Sequence, residues 1–165
     1  MNRQQISIRL ALRELGFKTP PVQTFDGRLA IQKCVYLAQA AGAKLGYHFR
    51  WYLRGPYCPE LTDDAFAIAS ELQAGLDEAQ GWVLPDGWRP AVAAVRALVP
   101  EGNPEQHARR LELLASVCFL AARRGSTTVE PAELQAQLKR YEKDFTVEEV
   151  QDALGALREH NLLSA

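Results

Sequence analysis

The chain lacks most of the features that identify an enzyme or a membrane protein from sequence. Its 165 residues contain no segment close to the roughly 18 to 20 consecutive apolar residues that a membrane-spanning helix needs. No GxSxG, HExxH, P-loop or GxGxxG motif occurs, and the three histidines are scattered without paired carboxylates beside them. We therefore expect no catalytic residue, no enzyme activity, no cofactor and no membrane partner.

Cysteine is sparse and follows no ligand pattern. Cys34, Cys58 and Cys118 form no CxxC pair, and no histidine stands at metal-ligand spacing from them, so we expect no metal site. Cys34 and Cys118 fall in helical apolar patterns, where a free thiol behaves as a small hydrophobe. An enzymatic alternative would have to rest on Cys58, which follows a Gly-Pro turn, or on the acidic pair Asp63-Asp64. Adjacent acids of this kind are more typical of helix capping.

The composition is that of an ordinary globular protein, with 47% apolar and 24% charged residues. Residues 1–5 lead into an arginine-bearing amphipathic segment without the apolar core of a secretion signal, so the expected localisation is cytoplasmic. We expect a winged-helix-like part over residues 1–80, a connecting strand, helix and loop over 81–104, and a three-helix part over 105–165 that packs on the same core.

The most informative feature present is an alternation of apolar and polar side chains over residues 47–54. The odd positions are large and apolar, whereas the even positions are basic or hydroxylated: Tyr47, Phe49, Trp51 and Leu53 alternate with His48, Arg50, Tyr52 and Arg54. Because a strand turns successive side chains to opposite faces, this pattern predicts one core face and one outer face. Cations interleaved with an aromatic ring on the outer face are typical of nucleic-acid contacts.

Charge is unevenly distributed along the chain. Residues 1–54 hold nine Lys and Arg against two acids, a net charge of +7, whereas residues 55–104 carry −6 and residues 105–165 carry −2. This asymmetry indicates a basic face for an anionic partner, or a face that pairs with the acidic middle of its own fold. The residues proposed for this basic face are Arg28, Lys33, Lys44, His48, Arg50 and Arg54.

Apolar periodicity and capping signals predict a mainly helical α+β fold. The predicted helices cover residues 4–15, 26–41, 63–76, 87–98 and 104–124, with two more beginning at Pro131 and Thr146. A strand is predicted over 44–54, with a possible partner strand over 81–84. The order helix, helix, strand resembles a winged helix. Acidic side chains in the last helix make the C-terminal part a structural or protein-binding element rather than a recognition helix.

Two runs of sequence resemble a known family. Residues 28–37 read RLAIQKCVYL and residues 45–61 read LGYHFRWYLRGPYCPEL. They are similar to the YwgA-like prokaryotic proteins, which carry a Gln-Lys-x-Val-Tyr-Leu helix, a Gly-Tyr-x-Phe strand and a Gly-Pro-Tyr-Ser turn. A looser likeness connects the chain to the Panacea antitoxin domain. The resemblance implies these motif positions: Gln32, Lys33, Tyr36, Tyr52, Gly55, Pro56 and Tyr57.

The resemblance implies a binding module, because Panacea domains neutralise a partner by direct contact and YwgA-like proteins have no defined reaction. This chain departs from the family pattern at Cys58, where serine is usual, and at Arg54, where tyrosine is frequent. Two functions therefore stay open at this point. One is a regulatory or defence-associated module that contacts DNA or RNA through its basic face. The other is an antitoxin-like module that binds a protein, and a homodimer is compatible with both.

Overall fold

A computed structural model describes residues 1–99, 104–124 and 129–163. These residues form a mainly helical α+β fold with a small antiparallel sheet and winged-helix-like topology, which confirms the predicted fold class. The elements in chain order are α1 (Arg3–Glu14), α2 (Phe25–Ala40), β1 (Arg50–Tyr52), β2 (Gly55–Tyr57), α3 (Pro59–Gln73), α4 (Arg89–Leu98), α5 (Ala108–Arg123), α6 (Pro131–Arg140) and α7 (Val147–Glu159). Short 3-10 turns precede α4 at Asp86–Trp88 and α5 at Pro104–His107.

Side-chain caps set the beginnings of several helices. The Thr24 hydroxyl accepts a hydrogen bond from the Gly27 N–H, so α2 begins before the predicted residue 26. In α7, Thr146 and Glu149 form the predicted capping box, in which each side chain bonds the other residue's main-chain N–H. The predicted Asn103 cap lies outside the described residues.

Helix α2 is central to the fold and packs against α1, α3, α4, α5 and β2. Because it is covered on several sides, ten of its sixteen residues are buried, including Gln32 and Lys33. One continuous cluster of buried apolar side chains runs from Ile8 in α1 to Leu162 after α7. The N-terminal and C-terminal parts of the described chain thus share one core.

The strand prediction was right in position and wrong in extent. Burial alternates from Ala43 to Tyr52, yet only Arg50–Tyr52 is paired as a strand. Its partner is β2, and residues 81–84 form no strand. Leu53 was expected in the core but lies in the turn between the strands, where 75% of its surface is exposed.

Helix α3 begins earlier than predicted. Pro59 occupies its first turn and Cys58 is the N-cap residue. Asp63 and Asp64 therefore lie inside the helix and do not cap it. Asp64 instead accepts hydrogen bonds from the Tyr47 hydroxyl at 2.8 Å and from the Gln5 amide at 2.9 Å. No helix within the described part of the chain is long and apolar enough to cross a membrane.

Candidate interaction site

The β-hairpin has a register that its proline enforces. Trp51 stands opposite Pro56, with Arg50 opposite Tyr57 and Tyr52 opposite Gly55. A directly hydrogen-bonded antiparallel pair exchanges two N–H···O bonds, and Pro56 has no N–H to give. The Trp51–Pro56 pair must therefore be the non-hydrogen-bonded kind, with the main-chain groups of both residues pointing away from the hairpin centre.

Gly55 is required in the turn for two reasons. Its φ of +87° lies in the left-handed region that residues with a Cβ rarely adopt. A Cβ at this position would also stand 2.5 Å from the Ser116 Oγ of α5. The hairpin therefore lies directly on α5, and the glycine of the family-like motif has a structural cause.

Gln32 of α2 holds the chain just after β2. Its amide nitrogen donates to the Cys58 carbonyl at 2.7 Å, and its amide oxygen accepts from the Cys58 N–H at 2.9 Å. The same nitrogen also donates to the Thr62 hydroxyl at 2.9 Å, which in turn lies 3.1 Å from the Tyr57 hydroxyl. A side chain thus satisfies main-chain groups that a third strand would otherwise bond.

Lys33 was predicted on the basic face but is buried, with 2% of its surface exposed. Its Nζ donates to the Pro56 carbonyl at 2.7 Å, on the outer side of β2. Burial lowers the pKa of Lys33 to about 7, with nearby Lys143 contributing and Glu112 opposing the shift. Lys33 is therefore part of the scaffold beneath the hairpin and cannot contact a partner directly.

A buried ion pair lies beneath the hairpin turn. The Lys143 Nζ donates to the Glu112 carboxylate at 2.6 Å and to the Leu53 carbonyl at 3.1 Å, and both charged side chains are almost fully buried. Arg54 approaches the other Glu112 oxygen at 3.5 Å from the solvent side. Glu112 therefore offsets the charges of Lys143 and Arg54 at the position where the turn meets α5.

A cleft of about 1200 Å³ opens above this ion pair. We call it the turn cleft; its walls are the start of α2, the β1–β2 turn, the start of α5 and the segment between α6 and α7. Exposed apolar side chains surround its mouth: Phe25, Tyr52, Leu53 and Tyr141. Lys143 reaches the cleft floor because Glu142 takes a left-handed φ of 58°, which turns the chain sharply after α6.

Charges in the turn cleft are balanced. Among the described side chains, four cations and four anions line it: Arg54, Arg109, Arg140 and Lys143 with Asp26, Glu112, Glu142 and Asp144. Arg109 is further held by Glu149 and by the Asp144 carbonyl. The cleft therefore lacks the excess positive charge that binding to a phosphate backbone requires.

The six residues predicted as one basic face are not brought together. Arg28 lies in the first turn of α2, whereas Lys44 follows the C-terminal end of this helix, so about 18 Å of helix separates Arg28 from the end beside Lys44. Arg28 is half-buried and donates to the Val22 carbonyl at 2.7 Å. Lys44, His48 and Arg50 are exposed along the extended segment before the turn, and the last two interact electrostatically with Glu60.

The enzymatic alternative gains no support from the geometry of its residues. All three cysteines are free and buried. Burial raises the pKa of the Cys58 thiol, and its hydrogen bond to Glu60 at 3.1 Å raises it further. Because the thiolate is the nucleophile, both effects disfavour reaction at Cys58. Among the described residues, no group of three or more His, Cys, Asp or Glu is placed to hold a metal ion.

The family-like motif positions, by contrast, do meet. Lys33 holds the chain at Pro56 and Gln32 holds it at Cys58, the residue after β2, and the Tyr52 and Tyr57 ring centres lie 5.6 Å apart on the outer sheet face. Tyr36 packs on the inner side against Phe49, with ring centres 5.3 Å apart. Sequence reasoning missed Phe25, Glu112, Tyr141 and Lys143, which reach the site from distant parts of the chain without a shared motif. Comparisons with protein-family models, curated proteins and solved structures find no match for this chain, so its family resemblance stays a prediction.

Proposed function

We propose that this protein is a non-enzymatic binding module that contacts another protein through the turn cleft. The observation that carries the proposal is the ring of exposed Phe25, Tyr52, Leu53 and Tyr141 around a cleft whose charges balance. Aromatic side chains and arginine at a concave surface are typical of the residues that dominate protein–protein binding energy. An antitoxin-like or adaptor role is the corresponding biological function.

The support comes from how the turn is built. Leu53 projects at the tip of the hairpin, whose position is set by Gly55 against α5 and by the main-chain bonds from α2 and Lys143. A rigid support reduces the conformational entropy that is lost when an exposed apolar side chain is fixed in a complex. The arrangement thus combines an exposed apolar contact with a preorganised backbone.

The test uses a matched pair of leucines. Leu53 lines the turn cleft, whereas Leu76, after α3, is 58% exposed and does not line it. Protein fragments encoded by the source genome are displayed and selected for binding to the parent chain. We expect selected fragments to bind at least about 100-fold more weakly to Leu53→Asp, because the substitution places a charge at the centre of the interface. The Leu76→Asp variant should bind like the parent.

Equal binding of the parent and Leu53→Asp would overturn the proposal, as would equal loss in both leucine variants. Size-exclusion chromatography with light scattering identifies a further contrary outcome. If the parent is a dimer and Leu53→Asp is a monomer, the cleft is occupied by a second copy of this chain. The partner would then not be a different protein.

Nucleic-acid binding remains the alternative, and the exposed Lys44, His48 and Arg50 favour it. Labelled DNA and RNA, single-stranded and duplex, measure it directly by fluorescence anisotropy. A phosphate-contacting face should lose affinity steeply between low and moderate salt. It should also lose affinity in the Arg50→Glu/Arg54→Glu variant. Binding that is indifferent to both changes would contradict this alternative.

A further inference from the structure

The outer edge of β1 has main-chain groups that the described residues leave unbonded. Residues 47, 49 and 51 share one edge of the extended segment, because main-chain direction repeats every second residue. The Trp51–Pro56 pairing directs the Trp51 N–H and C=O to that edge, away from β2. His48, of the opposite parity, places its main-chain N–H against Cys58 on the β2 side. The two observations assign the same edge independently.

At one end of the same edge, at Tyr47, a side-chain amide already forms the hydrogen bonds that a neighbouring strand would form. Gln39 of α2 donates its amide N–H to the Tyr47 carbonyl at 2.8 Å and accepts from the Tyr47 N–H at 2.9 Å. A primary amide in this position makes the pair of bonds that one residue of a neighbouring strand would make. Phe49 and Trp51 continue the edge without such a group among the described residues.

A groove accompanies the unbonded part of the edge. We call it the edge groove; its two compartments, of about 420 and 580 Å³, both include Tyr36, Phe49 and Ala122. Its inner wall is a chain of aromatic contacts, Tyr36 to Phe119 at 5.9 Å and Phe119 to Trp51 at 5.7 Å between ring centres. Phe49 and Trp51 are only partly buried, so the wall is accessible from solvent.

The charge of the edge groove differs from that of the turn cleft. Arg50 and Arg123 line its larger compartment, and no acidic side chain does so among the described residues. Arg123 stacks over the Phe119 ring at 5.0 Å. An aromatic wall between two cations is complementary to an apolar or aromatic side chain flanked by carboxylates.

We infer that the outer edge of β1 binds an extended acidic peptide segment of the partner, which adds to the hairpin as a third strand. Main-chain bonds to Phe49 and Trp51 give the register, the aromatic wall takes an apolar side chain, and Arg50 and Arg123 take carboxylates. This inference rests on the proposed protein-binding function and specifies the partner's conformation and charge.

The test separates main-chain from side-chain recognition. Random peptides are displayed and selected on the parent, and the best peptide is resynthesised with a single N-methyl group at each position in turn. Strand addition predicts at least about tenfold weaker binding at alternate positions only, because every second N–H of the peptide faces the protein. Uniform tolerance of N-methylation would overturn the inference.

A protein-side variant pair tests the same point. Trp51→Pro and Trp51→Val both remove the ring, but only proline removes the N–H that faces the open edge and takes no part in the β1–β2 ladder. We expect Trp51→Pro to bind the peptide at least about tenfold more weakly than Trp51→Val. Equal affinities would overturn the inference, and should Trp51→Pro fail to fold, the N-methyl series still decides.

The outcomes also distinguish this inference from the proposed function. If Arg123→Glu no longer binds the peptide and Leu53→Asp no longer binds the partner, the results support both the inference and the proposed function. Selected partners that depend on Leu53 but yield no alternating N-methyl pattern overturn the inference and leave the proposed function standing. Selection of basic rather than acidic peptides, or binding of nucleic acid dependent on Arg50, would overturn the assignment of an acidic peptide.

Discussion

The two strands of the hairpin differ in how their outer edges are satisfied. On the β2 side, Lys33 bonds the Pro56 carbonyl and Gln32 bonds both main-chain groups of Cys58. On the β1 side, Gln39 bonds Tyr47 alone. Gln32 and Gln39 are seven residues apart, about two turns on one side of α2. One helix thus closes one edge of the sheet and leaves most of the other available.

This difference separates the residues that stabilise the fold from those available for binding within one hairpin. Substitutions on the β2 side should mainly change the free energy of unfolding, because the groups there are buried and mutually bonded. Substitutions on the β1 side should mainly change affinity for a partner. If single substitutions on the β1 side and on the β2 side lowered stability and binding to the same extent, this distinction between the two strands would be wrong.

The largest effect is expected beneath the turn, at the buried ion pair. Glu112→Leu leaves the buried Lys143 ammonium without its counter-charge and should destabilise the fold by about 3 to 5 kcal/mol in urea denaturation. The Glu112→Leu/Lys143→Met double variant should recover part of that loss, since no unpaired charge remains in the pair. A double variant less stable than Glu112→Leu would contradict this account.

The two glutamines give the most direct comparison of the edges. Gln32→Ala leaves the buried N–H and C=O of Cys58 unbonded and should destabilise the fold by about 3 kcal/mol. Gln39→Ala leaves the N–H and C=O of Tyr47 unbonded. These two groups are only partly buried, so the substitution should destabilise the fold by about 1 kcal/mol. Equal losses, measured by chemical denaturation, would show that the β1 edge is as much a part of the scaffold as the β2 edge.

Gly55 is compared with Gly42, because both have positive φ but only Gly55 lies against another element. Gly42→Ala should cost about 1 kcal/mol from backbone strain alone, since nothing lies within 4 Å of its added Cβ. Gly55→Ala should cost about 1 to 2 kcal/mol more, because its Cβ would clash with Ser116. Adding Ser116→Ala should recover most of that difference, with thermal or chemical unfolding as the measurement.

The pH dependence of stability reports the state of Lys33. Its folded pKa of about 7 lies below the unfolded value near 10.5, so between these values the unfolded chain binds the extra proton and stability rises with pH. From pH 7 to pH 9 the parent should gain about 2 kcal/mol relative to Lys33→Met. Parallel pH profiles for the two proteins would show that Lys33 keeps an ordinary pKa.

The elements of this fold with strong local signals could be predicted from sequence. Apolar periodicity and the Thr146–Glu149 capping box placed helices correctly to within a few residues. Alternation over 47–54 placed the extended segment, but burial can alternate without ladder partners, so strand length could not be read from it. The start of α3 had a usable signal, Pro59 at the first turn, which the adjacent acidic pair obscured.

The site itself was only half accessible to sequence reasoning. The motif around Gln32 and Gly55–Tyr57 lies in the region of the proposed interaction site, yet nothing local shows that Lys33 is buried, because α5 and the hairpin that cover it are distant in sequence. Glu112 and Lys143 likewise meet only through tertiary packing. The net charge of +7 counted over residues 1–54 therefore overstated the positive charge that any one surface of the folded protein carries.

Pro56 also disfavours misaligned pairing of the two strands. Slipping the strands by one residue would place the proline where the ladder needs an N–H donor, and it would exchange Trp51 and Tyr52 between the inner and outer faces. The misaligned hairpin would thus lose a ladder hydrogen bond, and it would also turn Tyr52 inward in place of Trp51. Pro56 of β2 thus fixes the register of β1, the strand that carries the exposed edge.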